Sequence, residues 1–324
     1  MATTPLWPAS SSSDPPGSVT LPLWPGSPPA GEAVADAPSS PEAVPPADVL
    51  SPADGLLPAA VTSGGAGPAA ARRVRLLVAY LGTSFHGFAA QQGVYTVASA
   101  LGAALERALR HPVVLTCAGR TDAGVHAWGQ VVTTDVDAGA DLERVQRSVN
   151  KMLAPAVAVR EAEWAPPGFD ARRSALSRTY RYSLSGAPWP DPFSALTSWH
   201  VGAPLDLRAM QAACDAILGP HDFSSFCHAV RGRPGPLVRR VLRADWSDLG
   251  ESRYLFEIEA QSFCHQMVRS IVGTLVEVGA GRRKAGETAS VLAARDRAAA
   301  GPVAPPHGLC LWEVKYHAYR RSPV

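Results

Sequence analysis

Arg72-Arg73-Val74-Arg75-Leu76-Leu77-Val78-Ala79-Tyr80 is where this 324-residue chain first acquires a secondary-structure period. Val74, Leu76, Val78 and Tyr80 alternate with polar or smaller neighbours, the period of two that a half-buried strand requires. Val97, Leu101, Leu105 and Leu109 then mark one face of a helix that Thr96 is placed to cap. A short strand at 113–116 leads into a Gly-bounded loop, and a second strand follows at 128–136. Next come a helix at 141–153, with Asp141 and Glu143 in its first turn, and a strand at 156–164. This β-α-β-β-α-β order is the split pattern of a ferredoxin-like unit. The remainder repeats it. A strand at 177–185 sets Tyr180, Tyr182 and Leu184 on one face, followed by a helix at 206–218 and strands near 239–248 and 253–260. Helices at 264–279 and near 287–298 and a strand at 309–316 close the series. The prediction is an α+β fold of two tandem halves, 71–170 and 171–324, with a cleft between them.

Working toward the N-terminus, the texture is different. Residues 1–70 hold 15 of the 30 prolines and six acidic residues, with no Lys or Arg. Such a segment buries too little apolar surface to offset its ordering entropy and is expected to be a disordered Pro/Ala/Ser-rich tail. Pro5-Leu6-Trp7-Pro8 and Pro22-Leu23-Trp24-Pro25 repeat within it, as a docking motif or as ordinary linker. The whole-chain charge of +2 hides the consequence: 71–324 carries 30 basic and 22 acidic residues, a surplus of eight. No apolar run reaches the roughly 18–20 residues that span a bilayer, which excludes a transmembrane class. The N-terminus lacks a basic segment followed by an apolar one, so a cytoplasmic location is expected. The five cysteines form no CxxC pair, and their odd number suits reduced thiols.

The chemistry concentrates in Cys117-Ala118-Gly119-Arg120-Thr121-Asp122-Ala123-Gly124-Val125-His126, which joins two strands. Gly119 and Gly124 permit a tight turn with unusual dihedrals. Arg120 lies two residues from Asp122, within reach to hold the carboxylate ionised. A fixed, ionised carboxylate at a cleft serves as a nucleophile or stabilises positive charge at a sugar carbon. The same residues also fit a plain turn, with Asp122 bonded to its own backbone and Arg120 solvated. Tyr180 is either a half-buried strand tyrosine or a stacking platform. Arg269 lies off the helical stripes Met267, Ile271, Leu275 and Val268, Val272, Val276, and Gly273 one turn on leaves room for close approach.

Gly119-Arg120-Thr121-Asp122-Ala123-Gly124-Val125-His126 resembles the active-site motif of the TruA family of tRNA pseudouridine synthases. Tyr80-Leu81-Gly82-Thr83-Ser84-Phe85-His86-Gly87-Phe88 resembles that family's first strand and turn. Ser177-Arg178-Thr179-Tyr180-Arg181-Tyr182 is similar to the strand bearing its active-site tyrosine, and Phe263-Cys264-His265-Gln266-Met267-Val268-Arg269 to the start of its late helix. The blocks stand in family order over about 72–318. Leu81, Phe88 and Ala89-Ala90-Gln91-Gln92 depart from the family pattern outside the catalytic loop.

The resemblance implies a pseudouridine synthase-like fold with an extended mixed sheet. It further implies an isomerase converting uridine to pseudouridine at positions 38–40 of the tRNA anticodon stem-loop, a homodimer working without metal or organic cofactor. Asp122 would be the catalytic carboxylate, with Arg120 beside it, Arg269 reaching it and Tyr180 stacking on the extruded uracil. For RNA contact, 223–244 holds no acid but includes Arg231, Arg233, Arg239, Arg240 and Arg243, a loop suited to phosphates. Arg172, Arg173, Arg178 and Arg181 form a second basic cluster. His221, Cys227-His228 and Cys264-His265 are metal-ligand types without zinc spacing. His126 reads as a packing or backbone-bonding histidine. Two rivals remain: a related synthase for other tRNA or RNA uridines, and a non-catalytic RNA-binding protein.

Overall fold

The structure, a computed structural model, describes residues 71–228 and 237–317. The proposed disordered tail at 1–70, and Arg231 and Arg233, lie outside the described residues. In chain order the elements are β1 (Ala71–Tyr80), α1 (Val97–Leu109), β2 (Thr116–Cys117), β3 (His126–Asp137), α2 (Leu142–Leu153) and β4 (Val157–Trp164). They continue with β5 (Ala175–Ser185), β6 (Trp199–His200), α3 (Leu207–Cys214), β7 (Gly219–Asp222) and β8 (Val238–Asp248). The last are β9 (Arg253–Ala260), α4 (Met267–Gly279), α5 (Glu287–Ala294) and β10 (Leu309–Tyr316).

Local chemistry accounts for the helix starts. Thr96 accepts a bond from the Ser99 N–H at 3.2 Å while Ser99 Oγ accepts one from the Thr96 N–H at 2.9 Å, a reciprocal capping box on α1. Asp141 and Asp206 cap α2 and α3 through the N–H groups of Arg144 and Ala209, each at 3.0 Å. The helix expected at 264–279 begins only at Met267, because Gln266 takes a left-handed φ of 62°. The one expected at 287–298 breaks at Arg295 (φ 50°), and a 3-10 turn follows. The short β6 and β7, two and four residues long, are too brief to show a period in the sequence.

Among the described residues, ten strands form one mixed sheet ordered β4-β1-β3-β10-β5-β9-β8-β7, with β2 on β3 and β6 on β5. The two halves repeat one arrangement. β1 lies antiparallel between β3 and β4, and β5 lies antiparallel between β9 and β10. They meet where β10 pairs in parallel with β3, through Cys310 opposite His126 and Leu311 opposite Ala127. β1 occupies one edge of β3, so β10 and β2 share the other, β2 pairing farther along at Thr133 and Val132. The chain leaving β2 must therefore re-enter β3 at the seam between the halves. That seam is where residues 118–125 lie.

Val74, Leu76 and Val78 of β1 are buried with Leu101 and Leu105 of α1 and Val149 of α2. Arg73 and Arg75, on the opposite face of β1, pair with Asp135 and Glu163, each at 2.7 Å. α4 is buried over nearly its whole length, which explains why apolar residues surround most of it. Its Gly273 has no room for a side chain, since a Cβ there would fall on the Pro302 carbonyl oxygen. Gly273→Ala is expected to cost about 1–3 kcal/mol, the usual penalty for overpacking a close contact, measured as a lower urea midpoint.

Candidate active site

The loop at the seam is held from both sides. The Tyr80 hydroxyl at the end of β1 hydrogen-bonds Thr121 Oγ1 at 2.8 Å, and Gln130 of β3 donates from Nε2 to the Gly119 carbonyl at 2.7 Å. Burial pushes the Tyr80 phenol far above its ordinary range, so it stays a neutral anchor. Above the loop, Phe88 donates its N–H to the Thr121 carbonyl at 3.1 Å and Gly124 donates to that of Phe85 at 3.3 Å. Gly87 makes this approach possible. Its φ is +87°, and a Cβ there would sit 2.7 Å from the Thr121 oxygen.

His126 closes the loop. Gly82 donates its N–H to Nδ1 at 2.8 Å, so the ring proton sits on Nε2 and is given to the His307 carbonyl at 2.9 Å. Burial holds its pKa below the ordinary histidine range. With both nitrogens on backbone, His126 ties the turn after β1 to the segment before β10, the backbone-bonding role read for it.

Thr121 points inward, and Asp122 beside it remains one-quarter exposed and faces α4. Arg269 Nη1 lies 3.3 Å from Asp122 Oδ2 while its Nε donates to the Ala304 carbonyl at 2.7 Å. The second anchor fixes the guanidinium plane, and Gly273 makes it available by letting 302–304 pass against the helix. His265 Nε2 approaches the other carboxylate oxygen, Oδ1, at 3.4 Å. Among the described residues the Asp122 carboxylate is thus paired from across the seam and not bonded to its own loop backbone.

Arg120 does not supply that pairing. Its side chain is exposed and makes no hydrogen bond or ion pair among the described residues, because inward Thr121 leaves it on the outer side of the loop. Arg178, expected at the RNA surface, is committed to carbonyls: Gln261 at 2.8 Å, Ala118 at 2.9 Å and Arg172 at 3.0 Å. It braces the start of the loop. Arg239 lies on β8, donating to the Val238 carbonyl at 2.7 Å, and among the described residues makes no hydrogen bond or ion pair with the Asp122 cluster.

Tyr180 is 8% exposed on β5, its ring edge-on to Phe263 with centroids 5.1 Å apart. Burial pushes its phenol upward, and the negative charge of Asp122 adds to the shift. Its hydroxyl makes no hydrogen bond among the described residues, unlike Tyr80 and Tyr182. The loop carboxylate, the α4 arginine and a free phenol therefore converge from three elements.

His265 and Phe263 were not read as site residues. Both lie in the block before α4, where the sequence marks His265 only as a metal-ligand type. Nor do the cysteines all remain thiols: Cys227 and Cys264 form a disulfide with a Cα separation of 5.9 Å. The bond joins residues 37 apart in sequence, which no local spacing signals. Among the described residues no cluster of three or more His, Cys, Asp or Glu is placed to hold a metal ion. No helix among them is long and apolar enough to cross a membrane.

The sequence pattern of a family described as tRNA pseudouridine synthase matches residues 76–172 and 213–317. A tRNA pseudouridine synthase A from Frankia casuarinae is 44% identical over 246 residues, 75% of this chain and 89% of that protein. One from Methylobacterium nodulans is 43% identical, covering 75% of this chain and 96% of the relative. One from Geotalea uraniireducens is 38% identical over 76% of this chain and its own full length. Matched through both halves, with its four motif blocks gathered at one seam, the chain belongs to the tRNA pseudouridine synthase family.

Proposed function

We propose that this chain isomerises uridine to pseudouridine at positions 38–40 of the tRNA anticodon stem-loop, with Asp122 as the carboxylate that starts cleavage of the N1–C1′ bond. The observation that carries the reading is the Arg269–Asp122 pair, which fixes a partly exposed carboxylate on the same side as the Tyr180 phenol, whose hydroxyl makes no hydrogen bond among the described residues. The freed uracil turns and rejoins C1′ through C5. One C–N bond is exchanged for one C–C bond, while a proton leaves C5 and one is gained at N1. Water does not enter the product, and one carboxylate suffices where hydrolytic glycosidases need two. No metal or organic cofactor is required for that balance.

Extruding the base from its stack costs a few kcal/mol, which stacking on Tyr180 offsets in part. The 71–170 half contributes Asp122 and the 171–324 half Tyr180 and Arg269, so substrate has to lie along the seam. Arg120, exposed at its rim and unpaired among the described residues, together with Arg172, Arg173, Arg231, Arg233 and Arg239, meets phosphates; Arg178 acts through the loop it braces. The protein works as a homodimer in the cytoplasm. A purely RNA-binding role is disfavoured, because a carboxylate fixed toward a polyanion weakens binding. Incubation with tRNA tritiated at uridine C5 tests the reading. One tritium should reach solvent for each uridine isomerised, and no release from any tRNA would remove it.

A further inference from the structure

The isomerisation uses no thiol, yet the Cys227–Cys264 disulfide lies within the shell of the site. Cys264 is flanked by the two residues that touch its centre: Phe263, edge-on to Tyr180, and His265, against Asp122. Five residues on is Arg269. The two ends of the crosslink differ in rigidity. Cys227 is 2% exposed and ends a 3-10 turn whose Phe223 and Phe226 are fully buried, with Ser225 Oγ donating to the Val291 carbonyl at 2.6 Å. Cys264 is half-buried in the stretch between β9 and α4, where Gln266 is left-handed and no side chain caps the helix. Among the described residues, that stretch is also held to the turn by a backbone bond, His228 N–H to the His265 carbonyl at 3.1 Å, and by the edge-on His228 and His265 rings.

We infer that the Cys227–Cys264 pair is a redox-responsive clamp that positions Phe263, His265 and Arg269 over Tyr180 and Asp122, so that its reduction slows uridine turnover. The inference rests on the isomerase reading above. Opening is ordinary thiol–disulfide exchange with a low-molecular-weight thiol. A thiolate attacks the accessible Cys264 sulfur, the S–S bond breaks, and Cys227 leaves as thiolate and takes a proton. A second small thiolate then attacks the small-molecule sulfur of the resulting mixed disulfide; Cys264 leaves as thiolate and takes a proton, which leaves two protein thiols. Two electrons and two protons have passed to the protein and one small disulfide is formed; a small disulfide reverses the sequence. The other cysteines do not compete as nucleophiles. Burial pushes the thiols of Cys117, Cys214 and Cys310 up to about 11, about 12 and about 12.

The test uses the full chain in three states: oxidised, reduced with dithiothreitol, and re-oxidised with glutathione disulfide. Two quantities are read, turnover of an unmodified tRNA transcript and hydrogen exchange of the amides at 263–269. Reduction should lower kcat about tenfold, as expected for sub-ångström misplacement of site groups, with KM within about twofold. Exchange at 263–269 should accelerate, and re-oxidation should restore both. Cys264→Ser and Cys227→Ser should show the low kcat permanently and ignore the reductant. Identical kcat and exchange in oxidised and reduced wild type would overturn the clamp, as would a Cys264→Ser protein that still responds to dithiothreitol. Should no state turn over tRNA, the isomerase reading fails, while exchange at 263–269 still decides whether the pair holds the segment.

Discussion

Asp122→Asn is expected to lower pseudouridine formation by at least about 10³-fold while leaving tRNA affinity within about tenfold. The substitution keeps shape and one acceptor oxygen, so Arg269 and the loop retain their places. What disappears is the negative charge, the property required to attack or stabilise the ribose carbon or the base. Affinity changes little because phosphate contacts dominate RNA binding, and removal of a negative charge opposes none of them. Product formation under single-turnover conditions and binding by filter retention separate the two effects. Equal turnover by wild type and variant would exclude the carboxylate from the chemistry.

The second large effect is expected at Arg269. Its side chain is 13% exposed and spans the Ala304 carbonyl and Asp122 Oδ2. Arg269→Met leaves a partly buried carboxylate without its strongest partner. Breaking a buried pair typically costs about 3–5 kcal/mol, and the one-quarter exposure of Asp122 brings the expectation to about 2–3 kcal/mol. Turnover should fall about 10²-fold or more, because the carboxylate then lacks both its charge partner and its fixed direction. Arg269→Lys restores charge without the two-point anchor and should recover stability more than rate. In Asp122→Asn/Arg269→Met the losses in stability should be markedly less than additive, since either change removes the same pair. Full additivity in urea melts would mean that the two residues act separately.

Much of this site can be read in the sequence because its determinants are local. Alternation at Val74 to Tyr80 and the helical stripe at Val97 to Leu109 correspond to β1 and α1. Arg269, off both helical stripes of α4, is the residue that leaves the core for Asp122. Spacing alone does not reveal the partner of Asp122, which only the family resemblance points to at Arg269. Arg120 is close along the chain, but the Tyr80–Thr121 bond turns the loop so that closeness in sequence is not closeness in space. The same limit applies to Arg178, whose partners at Ala118 and Gln261 are 60 and 83 residues away. His265 and the Cys227–Cys264 bond depend on how β9, α4 and the turn before β8 are brought together, a long-range contact with no periodic signature.

The most direct test of the central claim is to incubate the purified protein with an unmodified tRNA transcript and map pseudouridine by base-specific adducts that stop a primer. The account predicts stops in the anticodon arm with wild type and none with Asp122→Asn. Stops confined to other regions of the tRNA would contradict the positional assignment, and no stops with any tRNA would contradict the account itself.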